Sequence, residues 1–465
     1  MARSEEVVKH ASDRFEATVD LLSGYLRHPA ISCEPDHAKD VRALAERVRA
    51  DLEAMGLERS RLLDLPDAHP VVAAEWMKAG PGRPTVLVYG HLDMQPVVPE
   101  EWATPPHQGT RRGDRLYARG SADDMGGWVS HVAAIQSWFA CAGALPCNLK
   151  LIIEGEEEIG SPNLERFMDA HAGAFRADVM ILTDCDNPSI DTPGLTVSLR
   201  GVVEIVLTVE ALAADVHSGL WGNMVPDASL ALMQLVSRLV DADGRLRVGR
   251  QVADPAWRKA AWDVPLGADI IRTGAHLLPG VHPLPHRDLP PAEWLWRQPA
   301  ITVVATTLPN PSAKKNAILR KASAVLSVRI APDQKAPALV AAIREVLLAD
   351  PPGGVKVSLA VEGPVGESWL YEPRGPAFEA ADRAYRKAWG SPLARIGVGG
   401  SIPFVALFTR RFGDLPLILN GVIDPETTAH GPNESLHLGV FRKTIAANIH
   451  LYEELGALSP DSLRG

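Results

Sequence analysis

An α/β fold is expected for this chain of 465 residues: a mostly parallel sheet with helices on both faces, interrupted by an inserted α+β domain. Three observations carry that expectation. Short apolar, β-branched runs alternate with segments of helical periodicity, the signature of strands buried on both faces. Three of the runs deliver a histidine or a carboxylate at their exits, at His91, at Glu154–Glu158 and at Asp184, where parallel sheets carry their functional groups. Between about residues 200 and 366 the alternation gives way to amphipathic strands and two helices, after which the first pattern returns. The length also exceeds one ordinary compact domain. Boundaries follow at 1–199, 200–366 and 367–465, the first and third belonging to one discontinuous domain.

In chain order, residues 4–28 and 38–56 carry apolar positions every three or four residues, as in Val7, Phe15, Val19, Leu22 and Leu26, which predicts two helices packed by one face. Strands are expected at 71–77 and 85–89, joined through the turn Gly80-Pro81-Gly82. A Pro-rich loop containing Trp102 leads to a short strand near Leu116-Tyr117 and then to a helix over 126–139. Strands at 148–154 and 178–184 complete the first part. The inserted part reads as a strand at 202–209, a helix at 227–241, a looser Trp-rich region over 245–298, strands at 301–306 and 322–330, a helix at 336–348 and a strand at 355–361. A helix to Trp389, a strand at 417–420 and a last helix over 435–455 close the chain.

Composition narrows the function. Hydrophobic residues make up 46% and charged residues 22%, as in a globular protein, and no apolar run approaches a membrane span of about 18 residues. A net charge of −10 argues against nucleic acid or an anionic membrane as partner. The first residues lead into an amphipathic pattern rather than an apolar signal segment, and the four cysteines lack zinc-finger spacing, so reduced thiols in a cytoplasmic protein are expected.

The chemistry sits at the strand exits. In His91-Leu92-Asp93 the imidazole suits a metal ligand and Asp93 suits the group that fixes its tautomer, although a structural histidine would read the same alone. Asp123-Asp124 could mark a helix N-terminus, or one carboxylate could bridge two cations about 3.5–4 Å apart. The run Glu154-Gly155-Glu156-Glu157-Glu158 follows an apolar strand, and crowded carboxylates there call for cations or shared protons. Adjacent glutamates could divide into a metal ligand and a general base. Asp184 repeats the strand-end acid, and His430 precedes the last helix.

Taken together, in this order, the set resembles the co-catalytic zinc metallopeptidases that include carnosinase, aminoacylase, glutamate carboxypeptidase and succinyl-diaminopimelate desuccinylase. The likeness spans essentially the whole chain and is nearest to the carnosinase-type dipeptidases. It rests on Tyr89-Gly90-His91-Leu92-Asp93-Met94-Gln95-Pro96 and Arg119-Gly120-Ser121-Ala122-Asp123-Asp124. The resemblance implies two divalent ions, zinc first with manganese or cobalt as alternatives. One would be held by His91, Asp123 and Asp184, the other by Asp123, Glu158 and His430. It implies Glu157 as general base, Asp93 as the residue that orients His91, and a cis peptide after Asp123. The inserted domain then resembles a lid through which a homodimer forms. His217, in Asp215-Val216-His217-Ser218-Gly219, would reach the partner's site to stabilise the oxyanion. Asn316, Arg329, Gly400 and Ser401 would bind substrate, a guanidinium and free backbone N–H groups both suiting a carboxylate.

The implied activity is hydrolysis of dipeptides or similar small amides bearing a free carboxylate, with N-acyl-amino-acid deacylation or carboxypeptidase action as the alternative. Two positions depart from the relatives. Met125 stands where a lysine often follows the paired aspartates, and Val398 where an acidic residue that recognises a free amino group usually precedes Gly-Gly-Ser. The second departure keeps an N-acylated substrate open.

Overall fold

The computed structural model describes residues 2–463 apart from 286, 311, 313, 400–402 and 414. Its central sheet has six strands in the order Glu58–Leu63, Val71–Trp76, Asn148–Glu154, Thr85–His91, Val179–Leu182 and Leu417–Leu419. The last four run parallel and the first two pair antiparallel. Side chains alternate across this sheet with period two, as the pleat requires. Val86, Val88, Leu149, Leu151, Val179 and Ile181 enter one apolar core, while Leu87, Tyr89, Ile152, Met180 and Leu182 enter another on the opposite face. Helices Phe15–Leu26, Met125–Ala142 and Leu438–Gly456 close the first core; Leu164–Ala170 and Pro403–Phe412 close the second. The expected mostly parallel, doubly covered sheet is therefore the architecture found.

Two close approaches bring the strand exits together. A Cβ on Gly90 would lie 2.6 Å from both Asp124 Oδ2 and Thr183 Oγ1. One on Gly127 would lie 2.1 Å from Asp124 Oδ1 and 2.7 Å from the Thr183 carbonyl. Glycine at both positions lets the start of the Met125–Ala142 helix press against the exits of two neighbouring strands.

The chain leaves this layer along Gly194–Leu199, which pairs with Trp369–Leu370 and Ala394–Val398 in a three-stranded sheet. Outgoing and returning segments cross tightly, since a Cβ on Gly201 would sit 2.4 Å from the Gly366 carbonyl. Between them an antiparallel sheet forms in the order Ala300–Thr306, Lys321–Ile330, Gly201–Glu210, Lys356–Gly366. Helices Ala228–Arg238 and Ala336–Leu348 pack on one face, to which every second residue of Lys321–Ile330 points.

Three sequence expectations are corrected. The helix expected over 4–28 is broken at Arg14 into Ala2–Asp13 and Phe15–Leu26. Ser435–His437 is a strand paired with Arg115–Tyr117, so the last helix starts at Leu438. The looser 245–298 region contains three helices of six or seven residues, Pro255–Ala261, Ala268–Gly274 and Pro291–Trp296. They are too short to show a period and are fastened by tertiary contacts. Arg258 forks onto the buried Glu293 at 2.6 and 2.8 Å, and Trp294 lies under Arg245 at 4.1 Å.

Candidate metal centre

His91 is the last residue of its strand and is fully buried. Its carbonyl accepts from the Trp128 indole at 2.9 Å, its N–H donates to Asp124 Oδ2 at 3.2 Å, and its Nδ1 faces the Asp93 carbonyl at 3.0 Å. Nε2 is thereby aimed outward, 3.1 Å from Asp123 Oδ1. On the other side of the same carboxylate, His430 Nε2 lies 3.0 Å from Asp123 Oδ2 and 3.2 Å from Glu158 Oε2. Two groups of donors result. Candidate ligand atoms of His91, Asp123 and Asp184 lie within 4.8 Å of one another, and those of Asp123, Glu158 and His430 do likewise. Asp123 belongs to both.

The neighbouring carboxylates divide by environment. The Asp123–Asp124 peptide is cis, and Asp124 turns inward. Its Oδ2 accepts from Thr183 Oγ1 at 2.6 Å, and burial pushes its carboxyl up to about 7. Glu154 pairs with the Tyr89 hydroxyl and Ser161, and Glu156 caps the His69 N–H at 2.8 Å and holds Asn163. Glu157 and Glu158, one turn on, open into the cleft lined by Gln95, Asp123, Asp184, Val398, Ile423 and His430. Gln95 Nε2 donates to Glu158 Oε2 at 2.7 Å. Burial, with added repulsion from Glu158, Asp123 and Asp93, pushes Glu157 up to about 8 against the lowering effect of His91.

The donor set fits divalent cations. Burial and the charges of Asp123 and Glu157 hold Asp184 well above the usual carboxylate range, and crowding of this kind is what a cation relieves. Carboxylates with imidazoles suit zinc, manganese or cobalt.

Asp93 does more than the sequence reading assigned to it. Its carboxylate lies 3.5 Å from His91 Nδ1, farther than its own main-chain oxygen. It accepts instead from the N–H groups of Glu157 and Glu158 at 3.1 and 3.0 Å and from Ser32 Oγ at 2.6 Å. It therefore fixes the turn that presents both glutamates. Ser32 and Thr183 carried no signal in the sequence, because their partners come from distant elements.

The residues of the inserted segment that the resemblance assigns to substrate and oxyanion are not gathered here. His217 is exposed, ends the Val216–His217 strand opposite Ala317, and accepts from the Gly219 N–H at 3.1 Å. Asn316 is exposed beside it, its carbonyl accepting from the Ser218 N–H. Arg329 lies on Lys321–Ile330, and its charge adds to burial in lowering the buried Arg200 to about 10. None of the three lines the cleft of the donor groups. Gly400 and Ser401 lie outside the described residues. Gly399 precedes them, and its carbonyl accepts from Arg200 Nε at 3.1 Å.

A doubly covered sheet with two donor groups sharing one aspartate at its strand exits defines a metallohydrolase of the co-catalytic type. The profile of Peptidase family M20/M25/M40 matches residues 87–454, and the chain belongs to that family. It is 32% identical to the cysteinylglycine-S-conjugate dipeptidase of Corynebacterium striatum over 91% of each chain. It is 27% identical to the Cys-Gly metallodipeptidase of Schizosaccharomyces pombe over 98% of each. Human carnosine dipeptidase 1 has the same fold, with a TM-score of 0.81 at 22% identity, covering 98% of this chain and 100% of that one.

Proposed function

We propose that this chain is a dinuclear-metal dipeptidase, most active on dipeptides with a free C-terminal carboxylate such as Cys-Gly and its S-substituted forms. The observation that carries this reading is the pair of donor groups sharing Asp123 with Glu157 beside them. The relatives named for Cys-Gly substrates, similar over nine-tenths or more of their length, supply the substrate class.

His91, Asp123 and Asp184 would hold one ion, and Asp123, Glu158 and His430 the other, zinc being the first candidate. Bound there, the ions would polarise the scissile carbonyl and ease deprotonation of water. Glu157 takes the proton of the attacking water on its carboxylate and returns it to the leaving nitrogen. Arg329, which does not line the cleft as the chain stands, and the Gly399–Ser401 segment would hold the terminal carboxylate once the inserted domain closes over it.

His217 serves the site of a second subunit. Its own exposure supports this, as do the apolar residues exposed just after it in the chain, Leu220, Trp221 and Met224. Ala300–Thr306 is an edge strand with Val303 and Val304 exposed, a surface that a homodimer through the lid would cover. Four free cysteines suit a cytoplasmic protein, and among the described residues no helix is long and apolar enough to cross a membrane.

The test is a substrate panel on metal-reconstituted protein: Cys-Gly, an S-alkylated Cys-Gly, β-Ala-His, and the N-acetylated form of each. Hydrolysis of the free dipeptides is expected. A strong preference for the acetylated forms would overturn the dipeptidase reading in favour of a deacylase, and Val398→Asp would then be expected to shift preference back.

A further inference from the structure

Behind the donor groups lies a buried ion pair that the chemistry above does not use. Glu434 has no exposed surface and Arg119 is 2% exposed. Glu434 Oε2 accepts from Arg119 Nη1 at 2.9 Å and from the Gly120 N–H at 3.0 Å. Oε1 accepts from the N–H groups of Ala122 and Asp123 at 3.1 and 3.2 Å. The remaining arm of the guanidinium, Nη2, donates to the His430 carbonyl at 3.0 Å and to the Pro96 carbonyl at 3.4 Å. One pair thus grips the main chain at the shared aspartate and, 307 residues further along, at the histidine facing it.

Each of these segments needs an external hold. Residues 119–123 form an irregular turn whose N–H groups have no strand partner, and Glu434 collects three of them. His430 has φ +62°, the left-handed region that an L-residue enters at a cost, and its side chain is 58% exposed. Packing cannot hold such a side chain. Its main chain must be held instead, and Arg119 does that. Only a guanidinium offers two arms diverging toward a carboxylate and a carbonyl; a lysine ammonium is a single point.

We propose that Arg119 and Glu434 are positioning residues that set metal affinity, Glu434 by shaping the Asp123 turn shared by both donor groups and Arg119 by anchoring His430 of the second group. The inference rests on the reading that the site holds two ions.

It is tested by Zn2+ stoichiometry and affinity, measured by competition with a chromophoric chelator, alongside circular dichroism and melting of the metal-free protein. Wild type should bind two ions. Arg119→Lys should keep the metal-free fold and lose about 10–100-fold in affinity for one ion. In a His430→Ala background, Arg119→Lys should change the remaining affinity by less than about threefold, as expected if it acts through His430. Glu434→Gln, which keeps the volume but points an N–H at N–H donors, should weaken both ions. Affinities unchanged within about threefold in both variants, or an Arg119→Lys loss as large without His430 as with it, would overturn the proposal. So would failure of both variants to fold, because the pair would then determine the fold rather than the affinity. A wild-type protein that binds fewer than two ions would refute the two-metal reading itself, which separates the two failures.

Discussion

Metal loading should expel protons, and their number follows from the geometry. In the metal-free protein, hydrogen bonds that its ring donates to Asp123 and Glu158 push His430 up to about 11, well above an ordinary histidine. His91 is also raised despite the opposing effect of burial, through its hydrogen bonds to Asp123 and Asp93. Both rings are therefore biased toward the imidazolium form, and each must lose one of its two ring protons to act as a neutral ligand. Glu157, pushed up to about 8, and Asp184, held well above the usual carboxylate range, bring further protons that neighbouring cations would displace. Loading both ions should thus release two to four protons, shared across the coupled cluster. Each is worth about 1.4 kcal/mol per pH unit, so the overall binding constant should rise about 100- to 10,000-fold between pH 6.5 and 7.5. The sign is fixed, because raising the pH removes the competing proton. Calorimetric titration in buffers of different ionisation enthalpy gives the count directly. Heats independent of the buffer, or an affinity flat with pH, would refute the reasoning.

Other expectations concern single residues. Glu157→Gln should retain both ions and lose about 10²–10⁴ in kcat, as removal of proton transfer does; near-normal turnover would contradict its role. Asp93→Ala frees the N–H groups of Glu157 and Glu158 and should cost about 10–100-fold in metal affinity by chelator competition. His217→Ala mixed with Glu157→Gln should regain activity neither has alone if each site draws its histidine from the partner subunit, and kinetics of the mixture would decide. Gly127→Ala places a Cβ 2.1 Å from Asp124 Oδ1 and should destabilise by about 1–3 kcal/mol, visible as a lowered melting temperature.

Much of this site is legible in the linear chain because strand exits are. An apolar run ending in His91, one ending at Glu154 and one leading to Asp184 are local patterns, and parallel pairing of those strands then forces their ends together. His430 was legible only through the resemblance, since nothing local sets a loop histidine apart. The short helices of 255–296 were not legible, because six or seven residues define no period and their packing comes from Arg258 with Glu293 and Trp294 with Arg245. The Ser435–His437 strand was hidden for a related reason: its partner, Arg115–Tyr117, lies over 300 residues away.

The sequence by itself determined the α/β class and the strands that deliver His91, Glu154–Glu158 and Asp184, which follow from hydrophobic period and from the residue at each run's end, whereas Asp123 and His430 entered as ligands only through the resemblance. Only the tertiary structure decided how the acids divide. Asp124, Glu154 and Glu156 turn into hydrogen bonds with Thr183, Tyr89 and His69, while Asp123, Glu157 and Glu158 face the cleft. Asp93 likewise proves to hold the Glu157–Glu158 turn, and Glu434 the Asp123 turn. Burial and partners distinguish carboxylates that are chemically identical in the chain, and partners this distant are fixed by folding alone.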